Sequence, residues 1–218
     1  MPFKALIIVF CVALFAYLVG SVNFAVIFSK IFIKKDVREM GSGNAGATNV
    51  LRVGGVVPGL LTFLFDAIKG FVAAGAGKLA FTYIAENFEG FILDALHGAF
   101  LCGLLCMLGH IFPVFFQFKG GKGVATSVGI FAVCCPLAIV LGLLAFVMCL
   151  IFTKIVSFSS LIATCVVVIV TIIKNLNVNL FFVQIILTVL MGCIVFLKHG
   201  DNIIRLINGT EKKINFRR

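Results

Sequence analysis

The sequence predicts an all-α, polytopic integral membrane protein, and three observations support that prediction. Hydrophobic residues make up 62% of the 218 positions and charged residues only 12%, whereas soluble domains are near one half apolar and one quarter charged. The mean hydropathy is +1.23. The apolar residues form long runs without a strand pattern or an internal repeat. We therefore expect one membrane domain over 1–218, without a separate soluble module.

Six apolar segments are long enough to cross, or nearly cross, a hydrocarbon core of about 30 Å. The first follows Lys4, as in a signal peptide, but no small-residue cleavage site follows it, so we expect this segment to be retained. In chain order the predicted spans are 5–29, 56–79, 91–108, 124–152, 155–173 and 178–197.

The charged residues between the spans predict the orientation of the chain. Basic residues cluster after the first, third and last spans, whereas Glu86, Glu89 and Asp94 lie around the connection between the second and third. Because Lys and Arg are enriched in cytoplasmic loops, we expect the N-terminus outside and the first two basic clusters inside. The basic C-terminus should also be cytoplasmic, which requires an even number of crossings after Lys122.

The span 124–152 supplies the additional crossing. As one helix its 29 residues would be about 43 Å long, and Pro136 ends or kinks a helix at the preceding residue. We therefore predict two helices that meet at Pro136, and about seven transmembrane helices in all, with the N-terminus outside and the C-terminus cytoplasmic. Hydropathy alone gives six.

The eight cysteines all lie in apolar runs, without a CxxC pair or a histidine placed to complete a zinc site. We expect them to be small buried hydrophobic residues in a reducing or lipid setting, and we predict neither a disulfide framework nor a metal site. The polar chemistry is instead confined to three short segments.

The first polar segment, 41–49, reads Gly-Ser-Gly-Asn-Ala-Gly-Ala-Thr-Asn. Its three glycines allow backbone N–H groups to approach a ligand and to form an anion-binding concavity. Ser42 and Thr48 add hydroxyl donors, and Arg52 just beyond can hold a phosphate with its planar fork. An ordinary turn between membrane helices fits the composition equally well, but the neighbouring basic cluster favours binding.

The second polar segment, 118–123, reads Phe-Lys-Gly-Gly-Lys-Gly. It is not an ATPase P-loop, because that motif requires Gly at the position of Phe116 and Ser or Thr at the position of Gly123. The segment leads into a predicted helix at Val124, so helix N-terminal amides and two ammonium groups can meet one phosphate of a small substrate. The alternative is a pair of lysines that snorkel at a membrane interface, but the two glycines between them argue against it.

Three ionisable residues lie close to or inside the spans. Asp66 and Lys69 are one helical turn apart in the second span, where each charge costs roughly 2.5–3.5 kcal/mol unless it is paired. We predict an ion pair between them that supports the site, with direct participation in catalysis as the alternative. His110, which precedes the second polar segment, is predicted to be a hydrogen-bonded structural residue rather than a ligand contact.

The third polar segment, 199–205, contains His199, Asn202 and Arg205 at spacings of three. On a helical continuation of the last span these side chains share one face and can contact a phosphorylated polyol. A solvated helix end is the alternative. Glu211 is predicted to brace the basic residues here rather than to enter the chemistry.

Together the three polar segments resemble the signature motifs of the bacterial acyl-phosphate-dependent glycerol-3-phosphate acyltransferases, the PlsY family. The matching residues read GSGNAGATN with Arg52, GHIFPVFFQFKGGKGVAT from Gly109, and HGDNIIRLINGTE from His199. All three occur in the order and spacing of that family, and the resemblance covers essentially the whole chain.

The resemblance implies transfer of a fatty acyl group from acyl phosphate to the 1-hydroxyl of sn-glycerol 3-phosphate, which gives lysophosphatidic acid and phosphate in the first acylation of phospholipid synthesis. It also implies a multi-pass protein of the bacterial plasma membrane whose active site faces the cytoplasm, with no cofactor or metal. The expected catalytic residues are Ser42, Arg52, Lys122, His199 and Asn202, and the expected substrate-binding residues are Gly41, Gly43, Asn44, Thr48, Asn49, Lys119, Gly120, Gly121, Gly123 and Arg205.

This chemistry suits the residue types, because acyl phosphate carries a good leaving group. The enzyme needs chiefly to position two anions and to neutralise charge on the carbonyl oxygen and on the leaving phosphate. The hydroxyl proton has two candidate acceptors, His199 and the phosphate of the substrate, and we favour the phosphate.

The expected partners are acyl phosphate, glycerol 3-phosphate, membrane lipid and the soluble enzyme that makes acyl phosphate, with no nucleic acid. A membrane transporter of phosphorylated solutes is the main alternative, although the sequence shows neither repeats nor helices broken at the membrane midplane. A CDP-alcohol phosphotransferase would need a cluster of aspartates for metal ions, which the predicted spans lack.

Overall fold

The computed structural model describes residues 3–176 and 181–214, and all regular structure within these ranges is helical, which confirms the predicted all-α class. The α-helices of the described chain are α1 (Phe3–Gly20), α2 (Phe24–Phe32), α3 (Ala47–Gly54), α4 (Val56–Asn87), α5 (Ala95–Ile111), α6 (Val124–Cys134), α7 (Pro136–Thr153), α8 (Val156–Asn175), α9 (Phe181–Lys198) and α10 (Gly200–Ile207). Two short 3₁₀ helices, Val37–Glu39 and Val114–Phe116, lie in connections.

Six stretches of the described chain are long and apolar enough to span a membrane. They are Phe3–Phe32, Val56–Asn87, Ala95–Phe116, Pro136–Thr153, Val156–Asn175 and Phe181–Lys198. Helix α6 is also apolar, but its 11 residues extend only about 16 Å. The count of seven spans and the orientation of the two termini stay predictions.

The predicted helix break at Pro136 is confirmed. Helix α6 ends at Cys134, and Pro136 is the first residue of α7. Cys135 between them has φ −154° and ψ 82°, outside the helical region. Proline is tolerated at the first position of a helix, where no acceptor for its missing N–H is required, so it begins a helix here and cannot continue one.

The predicted span 5–29 lies within the membrane-spanning stretch Phe3–Phe32, but it is not one unbroken helix, because the chain leaves the helical path at 21–23, between α1 and α2. The side chain of Asn23 caps α2, and its Oδ1 accepts a hydrogen bond from the N–H of Val26 at 3.2 Å. The carbonyl of Val22 accepts a hydrogen bond from Nζ of Lys69 on α4 at 2.6 Å. These contacts satisfy backbone groups that the break removes from the helix, as a low-dielectric surrounding demands.

Three further boundaries differ from the prediction or cannot be compared with it. Helix α4 continues to Asn87 rather than ending at 79. Helix α5 begins at Ala95 rather than 91, because Asp94 caps it through hydrogen bonds from the N–H groups of Leu96 and His97 at 2.8 and 3.1 Å. The predicted start of the last span, 178, lies outside the described residues.

The chain forms two compact units, Met1–Cys134 and Cys135–Arg218. In the first unit α4 packs against α1, α3, α5 and α6, and in the second unit α8 packs against α7 and α9. Glycines permit close helix contacts in the first unit, since a side chain at Gly77 on α4 would overlap the carbonyl of Gly98 on α5. The first unit carries the first and second polar segments, and the second unit carries the third. One domain over 1–218 stays a prediction.

The predicted burial of the cysteines is correct for only half of them. Cys102, Cys106, Cys134 and Cys135 are buried, Cys149 is half-buried, and Cys11, Cys165 and Cys193 are exposed. The exposed cysteines lie on apolar helices, where a small hydrophobic side chain can face lipid as readily as the protein interior.

Candidate active site

The first polar segment is divided between a loop and a helix. In the loop, 41–46, Gly41 and Gly43 have positive φ angles of 62° and 72°, a conformation that favours glycine. Helix α3 begins at Ala47, so Thr48 lies in its first turn. The first N–H groups of a helix have no acceptor inside the helix, so this end of α3 can bind an anion.

Asn49 holds this loop in its shape. Its side chain is almost completely buried, with 1% exposure. Nδ2 donates to the carbonyls of Val37, Met40 and Asn44 at 3.0, 2.9 and 3.1 Å, and Oδ1 accepts from the N–H of Ser42 at 2.9 Å. Both polar atoms are therefore engaged with the loop backbone, which makes Asn49 a brace of the loop rather than a group that is open to substrate.

Two of the predicted catalytic residues are accessible beside the braced loop. Ser42 and Arg52 are both exposed, and Thr48 is half-buried. Thr48 and Arg52 are four residues apart on α3, so they lie on the same side of that helix. The first polar segment thus offers hydroxyl groups, a guanidinium group and helix N-terminal amides, all of which bind phosphate.

The glycines of the second polar segment let the chain return against the end of α5. The N–H groups of Gly120 and Gly121 donate to the carbonyls of Ile111 and His110, both at 3.2 Å. A side chain at Gly120 would overlap the carbonyl oxygen of His110, and one at Gly121 would overlap Nε2 of the same residue. Since these two amides are engaged, the amides left for an anion near this loop are those of the α6 N-terminus.

The second polar segment leads directly into α6, as predicted. Gly123 precedes the helix with a φ of 85°, and its carbonyl accepts the N–H of Ser127 at 2.8 Å to close the first turn. Lys119 is exposed and Lys122 is half-buried. Two ammonium-bearing residues therefore precede a helix N-terminus, a combination that attracts phosphate.

The first and second polar segments are held together within the first unit. Nη1 of Arg38 donates to the carbonyl of Phe116 at 2.9 Å. The same guanidinium pairs with Asp36 through Nε and Nη2, at 3.0 and 2.8 Å, and these hydrogen bonds hold the pKa of Asp36 below its usual value. A methyl group at Gly121 would lie 2.6 Å from the carbonyl oxygen of Ala45, so the two segments also meet backbone to backbone.

The sequence pattern identifies Arg38 only as one charge of the basic cluster after the first span, and not as a contact between the two loops. The partners Arg38 and Phe116 are 78 positions apart, so no local pattern reveals their contact. The only local signal is Asp36, a residue type that caps helices, two positions before an arginine.

An apolar cluster packs near the joined loops and consists of Ala25, Val26, Val37, Ala45 and Val50.

A buried charged cluster, which we call the α4–α5 cluster, consists of Asp66, Lys69 and His110. Their side chains are 1%, 3% and 3% exposed. Nζ of Lys69 lies 2.8 Å from Oδ1 of Asp66, which is the predicted ion pair, and Nδ1 of His110 lies 3.5 Å from the same oxygen. Within the described residues no group of three His, Cys, Asp or Glu side chains, this neighbourhood included, is arranged to hold a metal ion.

The third polar segment is a helix break followed by α10, rather than the predicted helical continuation of the last span. His199 separates α9 from α10, with φ −99° and ψ 8°. Asn202 and Arg205 do share one face of α10, since Nδ2 of the first and Nε of the second donate to the two carboxylate oxygens of Glu211 at 2.6 and 2.7 Å.

Glu211 braces the third polar segment, as predicted. Besides its two donors on α10, the hydroxyl of Ser157 donates to Oε1 at 2.9 Å. Burial alone would raise the pKa of Glu211, but the hydrogen bonds from these three donors outweigh burial and lower it. The N–H of Ile214 donates to the carbonyl of Lys154 at 2.7 Å, which fastens the chain after Glu211 to the turn between α7 and α8.

His199 is buried, with 3% exposure, and is oriented by the backbone of α9. Its Nδ1 lies 2.8 Å from the carbonyl oxygen of Val195. Because a carbonyl can only accept, Nδ1 carries the hydrogen, and Nε2 is then the basic nitrogen of the neutral ring.

The chain is similar over most of its length to known acyltransferases. The profile of the glycerol-3-phosphate acyltransferase family matches residues 10–209. Glycerol-3-phosphate acyltransferase 2 of Bacillus anthracis is 41% identical over 199 residues, which cover 91% of this chain and 95% of that protein. The glycerol-3-phosphate acyltransferase of Finegoldia magna is 40% identical over 201 residues, which cover 91% and 92%.

Two crystal structures of PlsY (YgiH), an integral membrane glycerol 3-phosphate acyltransferase, are similar to this chain in fold. The glycerol 3-phosphate form has a TM-score of 0.80 at 32% identity and covers 95% of this chain and 96% of its own. The lysophosphatidic acid form has a TM-score of 0.77 at 31% identity and covers 95% of both.

Proposed function

The chain belongs to the glycerol-3-phosphate acyltransferase family and is a multi-pass membrane protein, and from this premise we propose that it transfers a fatty acyl group from acyl phosphate to the 1-hydroxyl of sn-glycerol 3-phosphate. The products are lysophosphatidic acid and inorganic phosphate, in the first acylation of phospholipid synthesis. The observation that carries the proposal is that Arg38 and Gly121 join two basic, amide-rich loops within the first unit.

The joined loops suit the binding of two phosphate-bearing substrates. The N-termini of α3 and α6 each supply backbone amides, and the cationic side chains of Arg52, Lys119 and Lys122 lie on the same two segments. We assign these groups to the phosphates of glycerol 3-phosphate and acyl phosphate, with the planar fork of Arg52 as a bidentate contact. Ser42 adds an accessible hydroxyl donor.

In the proposed reaction the 1-hydroxyl oxygen attacks the acyl carbonyl carbon. A bond from that carbon to the glycerol oxygen forms, and its bond to the phosphate oxygen breaks, so phosphate leaves with the electron pair. The cations and helix amides stabilise the charge that develops on the carbonyl oxygen and on the leaving phosphate. Holding both reactants in one orientation supplies the remaining acceleration.

The proton of the attacking hydroxyl passes to a phosphate oxygen in this proposal, because the leaving phosphate would otherwise depart as a trianion. From the family resemblance we also expect His199 and Asn202 to be important for activity; the backbone of α9 orients His199, and Glu211 orients Asn202. General base catalysis by Nε2 of His199 is the alternative route for the proton.

We further propose that the protein lies in a bacterial plasma membrane with seven spans, an outside N-terminus and an active site that faces the cytoplasm. The basic clusters after the first, third and last apolar stretches support this orientation. Its partners are then membrane lipid and the soluble enzyme that makes acyl phosphate.

The donor can be identified with purified protein in detergent or lipid, glycerol 3-phosphate and three alternative donors. We expect acylation of glycerol 3-phosphate with palmitoyl phosphate and no turnover with palmitoyl-CoA or palmitoyl acyl carrier protein. Robust activity with the thioesters and none with palmitoyl phosphate would overturn the donor assignment while leaving the family intact.

A further inference from the structure

The α4–α5 cluster does more than pair two charges, because two of its members, Lys69 and His110, also contact other parts of the first unit. Nζ of Lys69 donates to the carbonyl of Val22 at the break between α1 and α2, and it lies 5.7 Å from the ring centre of Phe24. Oδ1 of Asp66 lies 2.8 Å from Nζ of Lys69 and 3.5 Å from Nδ1 of His110. The cluster therefore connects the helix break, α4 and α5 through charged groups that are hidden from solvent.

His110 extends this connection to the second polar segment. Its carbonyl accepts the N–H of Gly121 at 3.2 Å, and its Nε2 lies so close to Gly121 that no side chain fits there. Gly121 in turn packs against the carbonyl of Ala45 in the first polar segment. A continuous series of contacts thus leads from the ion pair through the imidazole of His110 to both loops of the candidate site.

Stability alone does not account for such a cluster. Replacing a buried ion pair by apolar residues of similar size is often neutral or stabilising, since the desolvation of two charges offsets their attraction. Charged groups interact at defined distances and angles, so they can fix the position of neighbouring residues. Residues that orient a site change its binding constants even when they do not contact the ligand.

We propose that Asp66, Lys69 and His110 are positioning residues that set the place of the second polar segment for binding of glycerol 3-phosphate. This inference rests on the proposed function for its kinetic readout. In this proposal the imidazole of His110, which packs against Gly121, keeps the loop in place, and the carboxylate of Asp66 beside its Nδ1 keeps the imidazole in place. The cluster acts through the loop and does not contact the substrate.

The kinetic test compares variants that preserve folding as far as possible. Asp66→Asn with Lys69→Met removes both charges together, so no unpaired charge remains buried, and His110→Ala removes the imidazole. We expect the KM for glycerol 3-phosphate to rise about tenfold, with or without a loss of kcat, since a misplaced loop weakens binding. A merely structural role would lower the amount of active enzyme, and hence apparent kcat, at an unchanged KM.

Two further variants complete the test. Lys69→Arg keeps the charge and a donor, so its KM for glycerol 3-phosphate should stay close to that of the wild type. Lys69→Met loses both, and its KM should rise. Lys78→Met is the matched control, because Lys78 is exposed on the same helix, and it should leave KM unchanged. An unaltered KM in the folded double variant and in His110→Ala would overturn the proposal.

Amide hydrogen exchange provides a readout that does not depend on activity. The N–H groups of Gly120 and Gly121 are bonded to α5 carbonyls, so they should exchange slowly in the wild type and about tenfold faster in His110→Ala, with the exchange of the amides within α5 unchanged. Equal exchange in both proteins would overturn the positioning role. If the two proteins differ in exchange in this way while the wild type does not acylate glycerol 3-phosphate, the proposed function fails and the positioning of the loop stands.

Discussion

At the residue scale, the side chain of Asn49 fixes four backbone groups around Ser42. Its amide is suited to this task because it offers donors and an acceptor from one rigid planar group. The sequence pattern identifies Asn49 as part of a polar loop, but residue type and spacing do not distinguish a brace from a ligand contact. Only its burial and its hydrogen-bond partners do so.

We expect Asn49→Ala to destabilise the protein by about 1–3 kcal/mol, because the loop carbonyls and the N–H of Ser42 lose their buried partner. The change should also raise the KM for glycerol 3-phosphate. Thermal unfolding in detergent and steady-state kinetics measure the two effects. Asn87→Ala is the control, since Asn87 is exposed at the end of α4, and an equal loss of stability there would contradict the account.

Arg52 is predicted to bind a substrate phosphate, and a substitution at this position tests that role directly. It is exposed on α3, so its replacement should not disturb folding. We expect Arg52→Ala to lower kcat/KM at least about a hundredfold, as the loss of one charge-stabilising group typically does. Arg52→Lys should recover part of this activity, because the charge returns without the planar fork.

The comparison for Arg52 is a change at Lys213, an exposed basic residue of the C-terminal chain. Lys213→Ala should retain full activity. Equal losses at both positions would show that net positive charge, rather than a specific contact, supports turnover.

At the element scale, the two helix breaks show what local sequence can reveal. The break between α6 and α7 follows from Pro136 alone, because a proline restricts its own backbone wherever it lies. The break between α1 and α2 has a local contact, the cap by Asn23, and a distant one, the contact of Lys69 with Val22, which joins residues 47 positions apart. The local pattern Ser-Val-Asn is compatible with a continuous apolar helix, so the sequence alone predicts one.

The connection after α10 is an element whose stability depends on pH. The lowered pKa of Glu211 means that the folded protein binds a proton there less readily than the unfolded chain. Its contribution is therefore complete above the ordinary pKa of glutamate and is lost as the pH falls through the lowered folded value, below about pH 4. Asp36, whose pKa is also lowered, contributes with the same sign.

We expect Glu211→Gln to be less stable than the wild type by about 1–2 kcal/mol at neutral pH, because the pair with Arg205 is lost. The difference should shrink as the pH falls below about 4, since the unfolded wild-type chain then binds a proton at Glu211 more readily than the folded protein does. Thermal unfolding of both proteins, in steps of about one pH unit between about pH 3 and 7, measures this difference in stability. A difference that stays constant over the range would contradict the assigned role of the charge.

At the scale of the whole molecule, composition and the three polar segments suffice for the all-α membrane class and the acyltransferase family. The division into two units and the joining of the first two polar segments do not follow from the sequence. Both depend on contacts between distant residues, such as Arg38 with Phe116 and Gly121 with Ala45. The amides of Gly120 and Gly121 bond to α5 rather than offering free donors to a ligand. The sequence does not predict this, because the contact depends on how the chain folds back against α5.

Acyl transfer from acyl phosphate to glycerol 3-phosphate, as proposed, must yield phosphate and lysophosphatidic acid in equal amounts, and this stoichiometry tests the proposed function directly. Purified protein is supplied with palmitoyl phosphate, and released phosphate and lysophosphatidic acid are measured together with and without glycerol 3-phosphate. After subtraction of the hydrolysis measured without protein, we expect equal amounts of both products when the acceptor is present and neither when it is absent. Protein-dependent phosphate release without the acceptor, or lysophosphatidic acid without phosphate, would contradict the proposed function.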